Sequence, residues 1–267
     1  IDLVPHLGLA CRFQMDYIGE LVATTLTPIL VSILIFVLYI LSSLSNCFIS
    51  DKEERRAKIA SSGQTYFYMF LIWTYLVLIG ASSKTFFYFK CHTLYEEEGD
   101  YSEAYLYKDY SLDCSSARYA YWRTFAIAMI FIYPIGIPFL YFVLVHNHRS
   151  ILGDKAALDI EEQNNFPTVG HVTFLTDAYK TSYYWFETLE CIRRLLLASV
   201  VGMVSEYSAA APLMGLLIST GFTWVFTALS PFDSKNDNAL SVVLAYSLLL
   251  FFLAALLIPK YEHCPLG

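Results

Sequence analysis

Four ionisable residues, Glu187, Glu190, Arg193 and Arg194, share the stretch YYWFETLECIRRLLLASVVGMV from Tyr183 to Val204. On a helix, Glu190 would meet Arg193 and Arg194 at i,i+3 and i,i+4, with Glu187 one turn earlier, giving an acidic-then-basic ladder on one face. Such a ladder suits an ion or proton pathway, a voltage- or ligand-sensitive bundle, or a structural ion-pair network. Its depth decides the chemistry. The charge-free half, Leu195 to Val204, covers only about 15 Å as a helix, roughly half of a hydrocarbon core. A spanning helix must therefore take its charged half into the bilayer, where ionisable groups cost about 2.5 to 3.5 kcal/mol each on insertion scales and face a partner or a wet cavity.

A second candidate is YPIGIP, Tyr133 to Pro138. Pro134 and Pro138 each remove a backbone donor and crowd the preceding turn, so a helix here is expected to kink or open around Gly136. Freed carbonyls could coordinate a cation or line a cavity; a packing kink without a ligand is the other reading. Pro28 makes a weaker case of the same kind. His146 and His148 lack the i,i+4 spacing of a helical metal site, and Cys91-His92 is no better, so no metal site is assigned. The chain contains no G-x-S-x-G, H-E-x-x-H, P-loop or dinucleotide-binding glycine pattern. Neither an enzymatic activity nor a cofactor is expected.

The elements that must hold these residues are membrane helices. The 267 residues are 57% hydrophobic and 15% charged, against about 25% charged in a soluble domain. The net charge of −7 leaves no basic stripe for nucleic acid; the lipid bilayer is the expected partner. Apolar runs fall at 18–44, 66–83, 122–145, 183–204, 212–229 and 239–258. They are long enough to span and lack the alternation of barrel strands. The expected fold is all-α, a polytopic transmembrane bundle of about six spanning helices in a single domain, 1–267. The chain opens at Ile1 without a methionine or a cleavable signal, and it reads as the membrane region of a longer polypeptide.

Lys52, Arg55, Arg56 and Lys58 crowd the short connection between the first two runs, a positive-inside signal. Alternation then puts 84–121 and both chain ends outside the cytoplasm, in the plasma membrane or an endomembrane. Cys91 and Cys114 flank an acidic stretch of that outer loop and are expected to form a disulfide, with a second bridge possible between Cys11 and Cys264. Cys47 and Cys191 stay unpaired. Between the third and fourth runs, Ser150 to Gln163 is amphipathic, either a surface helix or a solvated loop. Glu20 is read as an interfacial residue at the outer end of the first span.

Several segments together resemble a membrane region of algae, diatoms, oomycetes and other protists labelled TRP-like, after transient-receptor-potential proteins. They are Cys91 with YLYKDYSLDC (Tyr105 to Cys114), YPIGIP, FLTDAYKTSYYWFETLECIRRLLLA (Phe174 to Ala198) and PFDSKNDN (Pro231 to Asn238). The resemblance covers the chain from about Phe89 onward. It implies an integral membrane domain, often C-terminal to extracellular modules, with a cation-channel or receptor-like role. The chain departs from channels at Ser230–Asn238, which is short and polar where a re-entrant filter loop would stand. Two functions therefore remain open: a channel-related domain, or a non-conducting anchor or scaffold that holds other membrane or extracellular subunits. A secondary transporter ranks below both, since no inverted repeat relates the two halves.

Overall fold

In lipid the backbone must satisfy its own hydrogen bonds, and the long apolar runs do so as helices. The computed structural model describes residues 16–47, 51–95, 102–163, 169–204 and 210–257. Cys11 and Cys264 lie outside these residues. Among the described residues, five helices are long and apolar enough to cross a membrane. They are α1 (Tyr17–Asn46), α2 (Lys52–Phe87), α3 (Ala117–Asn147), α7 (Ala210–Leu229) and α8 (Lys235–Leu257). The expected fourth span is segmented instead. A 3₁₀ turn at Thr181–Tyr183 leads into α6 (Phe186–Leu195), a π-helical turn (Leu196–Val200) and a last turn (Val201–Met203).

Local chemistry sets where these helices begin. Asp16 caps α1 by accepting from the Gly19 amide at 3.0 Å, and Asp51 caps α2 by accepting from Glu53 at 3.0 Å. Each satisfies an amide that the first helical turn leaves unpaired. Because Asp51 starts α2 so early, most of the connection expected between the runs 18–44 and 66–83 is helix that extends α2 beyond its apolar stretch. Around Pro28 the carbonyls of α1 collect side-chain donors. Trp73 of α2 bonds the Pro28 carbonyl at 3.1 Å, Ser32 bonds it at 2.8 Å, and the Tyr133 hydroxyl bonds the Thr25 carbonyl. These bonds sew α1 to α2 and α3.

The stretch 84–121 is not a plain acidic loop. It carries a three-stranded antiparallel sheet, β1 (Cys91–Tyr95), β2 (Ser102–Leu106) and β3 (Asp109–Asp113), in that order, with a bulge at Tyr105/Leu106. The Cys91–Cys114 disulfide closes it. This cap ties three helix ends together. The Tyr17 amide donates to Asp109 at 2.9 Å, the Tyr17 hydroxyl to the Lys84 carbonyl at 2.7 Å, and Lys84 pairs with Glu20. Tyr88 and Tyr119 stack in parallel at 4.8 Å, each hydroxyl bonding the other's carbonyl at 2.8 and 3.1 Å.

At the opposite end, Ser150 to Gln163 forms two short helices, α4 (Arg149–Leu152) and α5 (Lys155–Gln163). The main core joins Leu71 and Leu78 of α2, Tyr133 and Tyr141 of α3, Val172 and Leu175 of the connection, and Cys191 and Leu195 of α6. The hairpin of α7 and α8 stands at the side, and Ala245 is the buried residue of α8.

Candidate functional site: a charge cluster inside the bundle

The connection before α6 decides where its charges go. Lys180 donates its ammonium to the Ser230 carbonyl at 2.6 Å, and Tyr179 pairs with Phe232 in an isolated antiparallel bridge. Asn238 clamps the same turn, accepting from the Phe232 amide at 3.0 Å and donating to its carbonyl at 2.6 Å. The PFDSKNDN segment thus starts α8 and fixes the segment that leads into α6. That geometry holds the Tyr179 ring against Phe186 and Phe232 and aims its hydroxyl at Glu187, 2.5 Å away.

From there the ladder folds on itself. Glu190 is 6% exposed. Its carboxylate takes Arg193 in bidentate fashion, with the Nε contact at 2.8 Å and a second from Nη2. The same carboxylate takes Arg194 Nε at 3.1 Å. Arg194 also pairs with Glu187 at 3.8 Å, donates to the Tyr75 hydroxyl of α2, and lies over the Tyr75 ring. Arg193 lies 5.9 and 5.8 Å from the Phe222 and Phe226 rings of α7. Two carboxylates and two guanidiniums cancel locally, and the aromatic rings supply further attraction to the cations. Glu187 Oε1 is buried without a hydrogen bond and faces Arg194 only through that longer ion pair.

The cluster has two neighbours of different character. On one side is a cavity of about 300 Å³ between α6 and α8, lined by Glu190, Arg193 and Arg194 together with Asp237, Ser241 and Leu244. On the other is a polar groove of about 360 Å³, walled by Lys155, Asp159, Asp177, Lys180 and Asp233. Tyr179 belongs to that wall and also bonds Glu187, so it separates the groove from the cluster. Burial, then the charge of Glu187, raises the Tyr179 phenol well above its ordinary pKa. The phenol therefore stays protonated and donates.

All four sequence candidates of α6 come together. The proline candidates do something else. Phe131–Gly136, with Pro134 inside, is a π-helical turn, and Pro138 falls in the first turn of the α-helix that follows. This segment meets α1 through Tyr133 rather than the charge cluster. His146 contacts Arg149 at 2.6 Å and His148 the Leu144 carbonyl at 2.8 Å. Among the described residues, no group of three or more His, Cys, Asp or Glu is placed to hold a metal. Cys191 is buried and Cys47 exposed, both as free thiols.

The sequence reading missed Tyr75, Tyr179, Phe222 and Phe226. Tyr179 carries a faint signal, lying eight residues before Glu187 in the same motif; the others come from distant helices and carry none. Comparison with known proteins found no matching family model, no matching curated protein and no matching solved structure.

Proposed function

We propose that this chain is a TRP-like membrane module, acting as an anchor or scaffold for other membrane or extracellular subunits rather than as a pore. One observation carries the reading: the charges of α6 are engaged with one another. Glu190 holds both guanidiniums, Tyr179 and Arg194 take Glu187, and Tyr75, Phe222 and Phe226 cover the cations. A self-neutralised cluster braces α6 against α2 and α7 and leaves no net charge to select an ion. The disulfide-closed sheet supports placing that end on the oxidising, extracellular or lumenal side.

A channel-related role is the second reading, favoured by the cavity of about 300 Å³ beside Glu190, Arg193 and Arg194. Reconstitution separates the two. The anchor reading expects liposomes containing the purified chain to show the same cation flux as empty liposomes, with the Glu190→Gln variant equal to wild type. It also expects Arg194→Leu to reduce recovery of the assembled protein on size-exclusion chromatography. Flux that depends on the chain and falls in Glu190→Gln would replace this reading with the second.

A further inference from the structure

The hairpin of α1 and α2 opens on the side of the bundle where α2 begins. A cleft of about 630 Å³ lies between them, lined on α1 by Ile35, Phe36 and Tyr39 and on α2 by Ile59, Gly63 and Phe67. Its size falls within the range of about 300 to 1,000 Å³ common to small-molecule sites. Ser42 and Asn46 of α1 reach Ser62 of α2 at 3.5 and 3.3 Å. Gly63 helps to leave the space, since a Cβ there would meet only the Tyr39 ring at 3.5 Å.

In length the cleft compares with one leaflet. Its α2 wall runs from Ile59 to Phe70, about 16 Å of helix against a half-core of about 15 Å. Arg55 and Arg56 stand one turn further out and head the two stripes that form this wall. Arg55, Ile59 and Gly63 follow one another at i,i+4, as do Arg56, Ala60 and Gln64. Lys58 pairs with Glu54 at 2.8 Å on a different stripe, whereas neither arginine has an ion pair among the described residues. Of the acids on the same turns, Asp51 is engaged as the helix cap and Glu54 with Lys58. His171 completes the wall, edge-on to Phe67 at 5.1 Å. Burial, reinforced by His148, holds the His171 pKa below its ordinary value, so at neutral pH it offers an uncharged ring.

An apolar slot one leaflet deep, headed by two unpaired guanidiniums, complements an acyl chain that ends in an anionic phosphate. We propose that the cleft between α1 and α2 binds an anionic glycerophospholipid, one acyl chain in the slot and the phosphate on Arg55 and Arg56. The lipid is then a structural ligand of the hairpin, and its headgroup charge, not its tail, sets the preference.

Native mass spectrometry of the purified full chain, titrated with dioleoyl phosphatidylserine or dioleoyl phosphatidylcholine, tests this. The wild type should retain one phosphatidylserine with a preference of about thirtyfold, from two basic contacts at the surface, and Arg55→Gln/Arg56→Gln should remove most of that preference. Both arginines lie on a solvent-side turn, so this variant should fold. Gly63→Leu, which fills the slot, should lose the bound lipid of either kind. Phosphatidylserine carrying a diazirine in its acyl chain should label peptides from 32–39 and 59–70. Equal retention of the two lipids by the wild type, an unchanged preference in the double variant, or label confined to other helices would overturn the proposal. So would preferential uptake of a neutral sterol.

Discussion

Glu190 is the residue on which the cluster turns, because one carboxylate answers two guanidiniums at a position 6% exposed. Removing it strands Arg193 between Phe222 and Phe226 and leaves Arg194 only its longer pair with Glu187. Glu190→Gln should therefore destabilise the detergent-solubilised protein by about 3 to 5 kcal/mol, the usual cost of breaking a buried pair from one side. Replacing Glu190 and Arg193 together by leucine removes one charge of each sign and leaves Arg194 paired with Glu187, so the double variant should cost far less than the single one. Thermal unfolding followed by tryptophan fluorescence measures both. A double variant at least as unstable as Glu190→Gln would mean that the charges do more than satisfy one another.

At the scale of the element, the third helix shows how local rules produce an irregular turn. Pro134 deletes an amide, and the chain answers with a π-helical turn over Phe131–Gly136 rather than a sharp break. Gly136 permits it, since a Cβ there would lie 2.8 Å from the Phe131 carbonyl oxygen, a backbone atom with no rotamer to yield. Gly136→Ala should cost about 1 to 3 kcal/mol, as overpacking does. Gly221→Ala on α7, where nothing lies within 4 Å, should be neutral or gain up to about 1 kcal/mol. Comparing the two melting temperatures checks this; equal effects would show that the π turn tolerates a side chain. The same contrast explains what was legible in the sequence. Five long helices follow from hydrophobic length, a signal contained within each segment. The Glu190 pairs follow from helical spacing, and Cys91–Cys114 from a shared loop. The sheet between those cysteines was not legible, because its strands are five residues each and owe their place to Tyr17, Tyr88 and Tyr119 on three helix ends. Tyr75 and Tyr179 were hidden for the same reason: each meets the cluster through tertiary packing, not through any pattern of its own.

At the scale of the whole molecule, the sheet acts as a clasp on one end of the bundle, and one carboxylate links it to the first helix. Asp109 accepts from the Tyr17 amide at 2.9 Å and from the Ser111 amide and hydroxyl at 3.0 and 2.6 Å. Burial works against its ionised form, but those three donors outweigh it and hold the carboxyl below its ordinary pKa. Asp113 is held low by the Ser115 hydroxyl and amide. A folded-state pKa that lies below the unfolded one stabilises the protein at any pH above the ordinary carboxylate value of about 4. That contribution is lost as pH falls through the depressed folded value. At neutral pH the clasp is therefore fully engaged. Acidification below about pH 4 should loosen the start of α1 before the middle of the bundle, because the titrating group bonds the helix at its first residue. Hydrogen exchange of amides in 17–22, compared with 71–78 in the centre of α2, should show protection falling first in the former as pH is lowered, after correction for intrinsic exchange rates. Asp109→Asn removes that titration, so its 17–22 amides should lose a measurable part of this pH dependence. If the variant kept the full acid response of the wild type, the link between sheet and first helix would have to run through another group, with the Arg118–Asp16 pair as the next to test.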